Sequence, residues 1–415
     1  MNKKLWSLVL LAIMVILLLG FTACDKLSFT KLRANYYLRQ ANGLYSDEKF
    51  KKAAETYEKA LENNSDLKVA YFYLGTSYSL LYKRGKENDT NKMYGKKALE
   101  YLLKAKEYEP ENIKILHALG DMYEKLENAD ESEKYYRFIL EKQKDNPKAY
   151  YVVASFFFNN KKYKEAEEMY LKRIDLDPEN AEGYHYLAGF YQGRTLWYQA
   201  ADNHELRIAC MIDKSIIKMV REIVTEKANL DKIKKKKDYI ANMNRNKAIP
   251  AQQKSELVAQ AQKELAEIGS EEQINNTIKS KQAELDIAWK KAYEKAKTLP
   301  ADEKKKVAMV LYDLGLVRWN HSYQTPGEIM GSKERAEIIK KGMDALNGAL
   351  SLDENNWESL SIIALLYLEE RKVNPEKEVE YKAKWQKAYD QAIAIRDRNL
   401  KREKMKKQLE DIGKE

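Results

Sequence analysis

The sequence predicts an all-α protein of stacked antiparallel helix pairs, interrupted by a long helical hairpin. Three observations carry this. Landmark residues recur every 34 positions, glycine (16) and proline (7) are scarce in 415 residues, and the apolar residues between landmarks follow helical spacing. Hydrophobic residues make up 44% and charged residues 33% of the chain. That mix can bury a core but carries too much charge for a bundle of membrane spans. So few glycines also argue against a glycine-loop nucleotide enzyme or a loop-rich sandwich.

At the N-terminus, Lys3 and Lys4 precede an apolar run from Leu5 to Leu19, followed by Gly20, Phe21, Thr22, Ala23 and Cys24. This is the layout of an export signal over residues 1–23. The run Phe21-Thr22-Ala23-Cys24 resembles a bacterial lipobox, with Phe21 standing where leucine is usual. The resemblance implies cleavage before Cys24 and a lipid on that cysteine. Asp25 then follows, a residue that favours inner-membrane retention in enteric bacteria. The alternative is an uncleaved anchor, because the 19 residues from Leu5 to Ala23 at about 1.5 Å each can cross a hydrocarbon core of roughly 30 Å. Either reading places the body of the chain outside the cytoplasm, attached to the cell membrane or outer membrane, since the two lysines stay inside. Residues 24–33 read as a linker.

The repeats occupy residues 34–210. Tyr37, Tyr71, Leu116, Tyr150 and Tyr184 are spaced by 34, 45, 34 and 34 residues, and a small residue follows each at a fixed offset: Ala41, Gly75, Gly120, Ala154 and Ala188. A second small column (Ala53, Ala98, Ser132, Ala166, Ala200) and a bulky one (Tyr57, Leu102, Tyr136, Tyr170, His204) keep the same period. The 45-residue step is one unit with a polar insert around Leu81 to Thr90. Small residues let two helix backbones approach, aromatics fill the gap one turn away, and a proline such as Pro110 or Pro178 stops the second helix. On these columns the chain resembles the tetratricopeptide repeat (TPR) family, whose unit is a pair of antiparallel helices. The resemblance implies a TPR-type α-solenoid of five units. The fifth departs from the pattern: His204 replaces an aromatic, and Arg173 and Arg207 stand where units four and five want a late small residue.

From 211 to 300 the rhythm stops. Two helical stretches, about Asp213 to Met243 and Ala251 to Lys297, read as a projecting helical hairpin joined at residues 244–250. Its run Lys234-Lys235-Lys236-Lys237 is read as a solvated helix face. Residues 301–397 return as two divergent TPR-like units around Leu311, Leu314, Gly315, Ile363, Ala364 and Tyr367, and 398–415 as a charged C-terminal helix or tail.

Chemistry is sparse. Lys plus Arg is 74 against 64 Asp plus Glu, a formal +10 spread evenly along the chain, so no nucleic-acid footprint is expected. Cys24 and Cys210 offer no zinc spacing or disulfide framework. No phosphate loop, nucleophile elbow or zincin motif occurs, so no enzyme, cofactor or metal is expected. His185 and His204 fall in one unit, but two histidines without a third ligand make a poor metal site.

The TPR resemblance implies that partners lie along the face lined by the first helix of each pair. The inward positions there are Leu38, Asn42, Tyr45, Phe72, Thr76, His117, Asp121, Tyr151, Ser155, Phe158, Asn159 and His185. Aromatics mixed with neutral polar groups suit an extended or helical protein segment. Carboxylate clamping of chaperone tails needs Lys, Asn and Arg, of which Asn42 alone fits. The expected function is a membrane-anchored scaffold binding partner proteins of the bacterial cell envelope. The alternatives are a peptidoglycan- or glycan-binding protein, or an accessory subunit of an envelope enzyme.

Overall fold

The computed structural model describes residues 29–246 and 248–412; the signal segment and Cys24 lie outside the described residues. The architecture is all-α, with no strand among the described residues. Two compact units divide the chain, 1–166 and 167–415.

In the first unit, α1 spans residues 29–46. It is followed by α2 (Phe50–Asn63), α3 (Lys68–Leu81), α4 (Asp89–Tyr108), α5 (Ile113–Lys125), α6 (Ala129–Lys142) and α7 (Pro147–Asn159). Then α8 (Tyr163–Leu176) crosses the boundary between the units. Helix therefore begins inside the 24–33 stretch read as linker. Ala34 is fully buried and holds that turn against the body. Ala41, Ala53, Ala98, Ser132, Ala154 and Ala166 expose no surface either, as the close approach of helix pairs requires. The Ser132 hydroxyl uses that approach to donate to the Gly120 carbonyl at 2.8 Å.

Two further columns explain how each pair turns. Asn112, Asn146 and Asn180, 34 residues apart, each precede the first helix of a pair, and their side chains accept from the backbone N–H of Lys114, Lys148 and Glu182. An asparagine cap satisfies one of the donors a helix start leaves open. Between the helices of a pair, Glu48, Glu127, Lys161 and Thr195 take φ of 58°, 62°, 59° and 53°. The next N–H reaches back five residues, as in Asn128 to the Tyr123 carbonyl at 2.9 Å and Lys162 to Phe157 at 2.8 Å. This is the Schellman termination, here built on residues other than glycine.

In the second unit, α9 (Ala181–Gly193) and α10 (Trp197–Ile212) form the fifth pair. The segment that follows is α11 (Ile217–Arg245), α12 (Ala251–Ile268) and α13 (Glu271–Ala296), with α12 and α13 both packed on α11. The returning arm of the expected hairpin is thus broken. Gly269 leaves the helix at φ 104°, and Ser270 opens α13 with a capping box to Gln273. After this insertion α14 (Ala301–Gln324) packs directly on α10, so stacking resumes where it stopped. Next, α15 (Ser332–Leu352) pairs with α14, and α16 (Trp357–Val373) pairs with α17 (Glu378–Ile412). No glycine or proline interrupts α17, which runs unbroken through the 397/398 boundary into the charged tail.

Gly315 does in the divergent pair what the small column does upstream. A methyl group there would overlap the Leu346 side chain. Gly315→Ala is therefore expected to destabilise the second unit by about 1–3 kcal/mol, and Leu346→Ala alone by about 2–5 kcal/mol through a cavity. Combined, they should cost clearly less than their sum. Denaturant unfolding of the four proteins measures this, and strict additivity would show that the two side chains do not share a space.

Candidate partner-binding face

The positions expected to line the face fall into two groups. Several are tied to other side chains of the array, some of them on the second helix of their own pair. Tyr57 on α2 donates its hydroxyl to Asn42 Oδ1 on α1 at 2.7 Å, and Tyr136 on α6 donates to Asp121 on α5. The same repeat position, 15 residues before the bulky column, thus supplies an acceptor that satisfies a tyrosine sunk into the pair. His117 Nδ1 lies 3.2 Å from Asp121 Oδ2 and meets the Tyr136 ring edge-on at 5.8 Å. The hydrogen bond to Asp121 holds the His117 ring above its ordinary range. Burial pushes the Asp121 carboxyl up, but the hydrogen bonds from His117 and Tyr136 leave it lowered overall. Asn159 on α7 donates to Glu124 on α5 at 3.2 Å.

The others keep part of their surface in solvent. Phe72 and Thr76 on α3, and Tyr151, Ser155 and Phe158 on α7, are half-buried. Phe72 stands edge-on to Tyr73 at 5.2 Å, and Phe158 lies 6.0 Å from the Tyr163 ring. Leu38 and Tyr45 pack on the core of the first unit, Tyr45 with its edge on Tyr73 at 5.3 Å. Thr76 turns its hydroxyl back to the Phe72 and Tyr73 carbonyls, each at 3.0 Å. His185 belongs to the second unit, exposed on α9 beside the Arg207–Asp313 pair.

The degenerate fifth pair has its own chemistry. Arg173 is buried and pairs with Glu182 at 2.7 Å, its guanidinium 5.2 Å over the Tyr186 ring. Arg207 on α10 pairs with Asp313 on α14 at 2.9 Å, and Arg318 on α14 with Glu205 on α10 at 3.0 Å. His204 is buried, and its Nε2 lies 2.9 Å from the Gln192 side-chain amide while Nδ1 meets no protein partner. Burial drives this ring down to about 3, with Arg207, His185 and Arg318 adding to the effect. Of these departures, Arg207 is the one that fits α10 to α14, through Asp313. Arg207 was visible in the sequence at a small-residue position; its partner Asp313, 106 residues away, was not.

Other candidates find structural work. Lys236 pairs with Glu264, and Lys237 with Glu271 at 2.9 Å, so half of the lysine run clips α11 to α12 and α13. A cleft of about 520 Å³ beside α11 contains Lys214, Arg221 and Lys281, which pair with Glu179, Asp175 and Glu222. Cys210 is buried, and burial pushes its thiol up to about 12, the behaviour of a small hydrophobe. No group of three or more His, Cys, Asp or Glu side chains that could hold a metal lies among the described residues.

Fold and side-chain columns together define a helical-repeat protein. The tetratricopeptide repeat family model matches residues 117–181 of the chain. No curated protein matches the chain. Among solved structures, the chain is similar to "Crystal structure of MamA protein" at 17% identity and a TM-score of 0.35, covering 44% of this chain and 94% of that one. A second is "YrrB: a TPR protein with an unusual peptide-binding site", at 22% identity and a TM-score of 0.32, covering 45% and 90%. A third is MamA residues 41 to the end from Desulfovibrio magneticus RS-1, at 13% identity and a TM-score of 0.34, covering 43% and 93%.

Proposed function

We propose that this chain is a non-catalytic adaptor, tethered to a membrane of the bacterial cell envelope by a lipid on Cys24, that holds segments of partner proteins on the first-helix faces of its repeats. The observation that carries the binding reading is the split just described. Asn42 and Asp121 on this face accept from Tyr57 and Tyr136 of their own pairs, and Phe72, Tyr151 and Phe158 are half-buried. Aromatic side chains fixed by a rigid scaffold bury much area at little entropic cost, which is how binding hot spots work. The export layout and the lipobox-like run ending in Cys24 support the address. No helix among the described residues is long and apolar enough to cross a membrane. Residues 5–23 lie outside the described residues.

The test is in-cell crosslinking followed by capture from the envelope fraction. Wild type is compared with Phe72→Ala/Tyr151→Ala/Phe158→Ala, which keeps its helical circular dichroism because none of the three is fully buried. A defined set of proteins captured by wild type and lost by the variant is expected; equal capture would move the binding surface elsewhere. In the same cells Cys24→Ser should lose lipid labelling and accumulate as precursor, and unchanged labelling would refute the anchor.

A further inference from the structure

Helix α1 presents two unlike faces. One carries Ala34 and Ala41, fully buried, with Leu38, Leu44 and Tyr45 half-buried beside them against the core of the first unit. The other carries Phe29, Leu32 and Tyr36, exposed by 67%, 64% and 63%. Their i, i+3, i+7 spacing puts all three in one stripe along the helix. At 100° per residue Arg33 and Arg39 fall on opposite flanks of that stripe. Between Lys26 and Ser46 the sequence has Lys26, Lys31, Arg33 and Arg39 and no acidic residue.

Two aromatics and a leucine, exposed and bordered by arginines with no carboxylate to neutralise them, match the chemistry of a helix lying in the interface of an anionic bilayer. There the apolar stripe sinks below the headgroups, tyrosine sits at their level, and arginine meets the phosphates. The position of α1 in the chain points the same way. Phe29 follows Cys24 by five residues, a length that reaches at most about 18 Å when fully extended. We infer that the Phe29–Leu32–Tyr36 stripe docks on the anionic surface of the membrane to which Cys24 tethers the chain, an inference that rests on the lipid-anchor reading above. The chain is then attached to the bilayer at two points. The repeats of the first unit are held at a fixed tilt to the bilayer.

The experiment uses the protein purified from membranes, with Leu32→Cys carrying an environment-sensitive fluorophore. Cys210 is buried and a lipid would block Cys24; where Cys24 proves unmodified, the label is placed in a Cys24→Ser background. The protein is reconstituted into vesicles of phosphatidylcholine with phosphatidylglycerol, bearing brominated acyl chains. Quenching of the label is expected, with loss of most of it in Arg33→Gln/Arg39→Gln and in vesicles of phosphatidylcholine alone. Two results would overturn the docking: a label as water-exposed with anionic vesicles as without them, or one equally shielded in detergent together with a dimer by light scattering, which would mean that a second copy covers the stripe. The mass of the N-terminal peptide separates the two readings. Lipid on Cys24 without quenching sinks the docking alone, and quenching without lipid sinks the anchor alone.

Discussion

Acidification from pH 7 to pH 5 is expected to cost the second unit about 4 kcal/mol of stability, through two buried histidines. His204 is driven down to about 3, and His321 down to about 4 by burial, with Arg318 and Arg335 adding and Glu334 opposing. The His321 ring sits edge-on to Tyr198 at 4.5 Å, its Nδ1 without a protein partner, while Tyr198 donates to Glu334. Neither site offers the acceptor that a second ring N–H would need. In the unfolded chain both rings protonate near 6.5, so between that pH and the folded values the unfolded state binds more protons. Stability falls as pH falls through this window, about 1.4 kcal/mol per pH unit for each ring. His117 works with the opposite sign. Its folded pKa is raised by Asp121, so its contribution is present below the unfolded value and fades as pH rises through the folded one. Denaturant midpoints across pH 5–7, for wild type and for His204→Gln/His321→Gln, give the measurement. A wild-type curve as flat as that of the double variant would show that the rings are not held neutral by the fold.

The second large effect concerns a buried ionic cluster that joins α14, α15 and α16. Arg335 donates to the Ser322 carbonyl and, at 2.6 Å, to the Thr325 carbonyl, closing the C-terminal end of α14. Glu369 lies 3.6 Å from Arg335, accepts from the Ser322 hydroxyl at 2.9 Å, and pairs with Lys372 at 2.6 Å. Both Arg335 and Glu369 are buried. Removing the carboxylate with Glu369→Ala strands the guanidinium charge in the core, at an expected cost of about 3–5 kcal/mol. Glu369→Gln keeps an acceptor for Ser322 and should cost less. Thermal unfolding ranks the three proteins, and equal stability of Glu369→Ala and wild type would mean that water reaches and solvates Arg335.

The repeat was legible because its constraints are local and periodic. Ala53, Ala98 and Ala166 recur for one reason: each stands where two backbones touch, and any larger side chain would part them. Two equally periodic signals, the asparagine caps Asn112, Asn146 and Asn180 and the left-handed turn residues Glu127, Lys161 and Thr195, were open to the same reading. The turn residues escape notice because their column holds Glu, Lys and Thr where such a turn usually has glycine. The sequence proposes the candidate face as a set of positions, without the division of labour within it. That Asn42 and Asp121 serve Tyr57 and Tyr136 depends on hydrogen-bond geometry across a pair.

By itself, then, the sequence determined the helical class, the 34-residue unit, the pairing of helices within it and the place where the rhythm fails, since each follows from side-chain size at a fixed spacing along one chain. Tertiary structure alone decided how the rhythm resumes. Arg207 finds Asp313 and Glu205 finds Arg318 across an insertion of three helices, and Arg335, Ser322 and Glu369 converge from three elements. A buried charge is satisfied by whichever group the fold brings within about 3–4 Å, and no spacing along the chain encodes that partner.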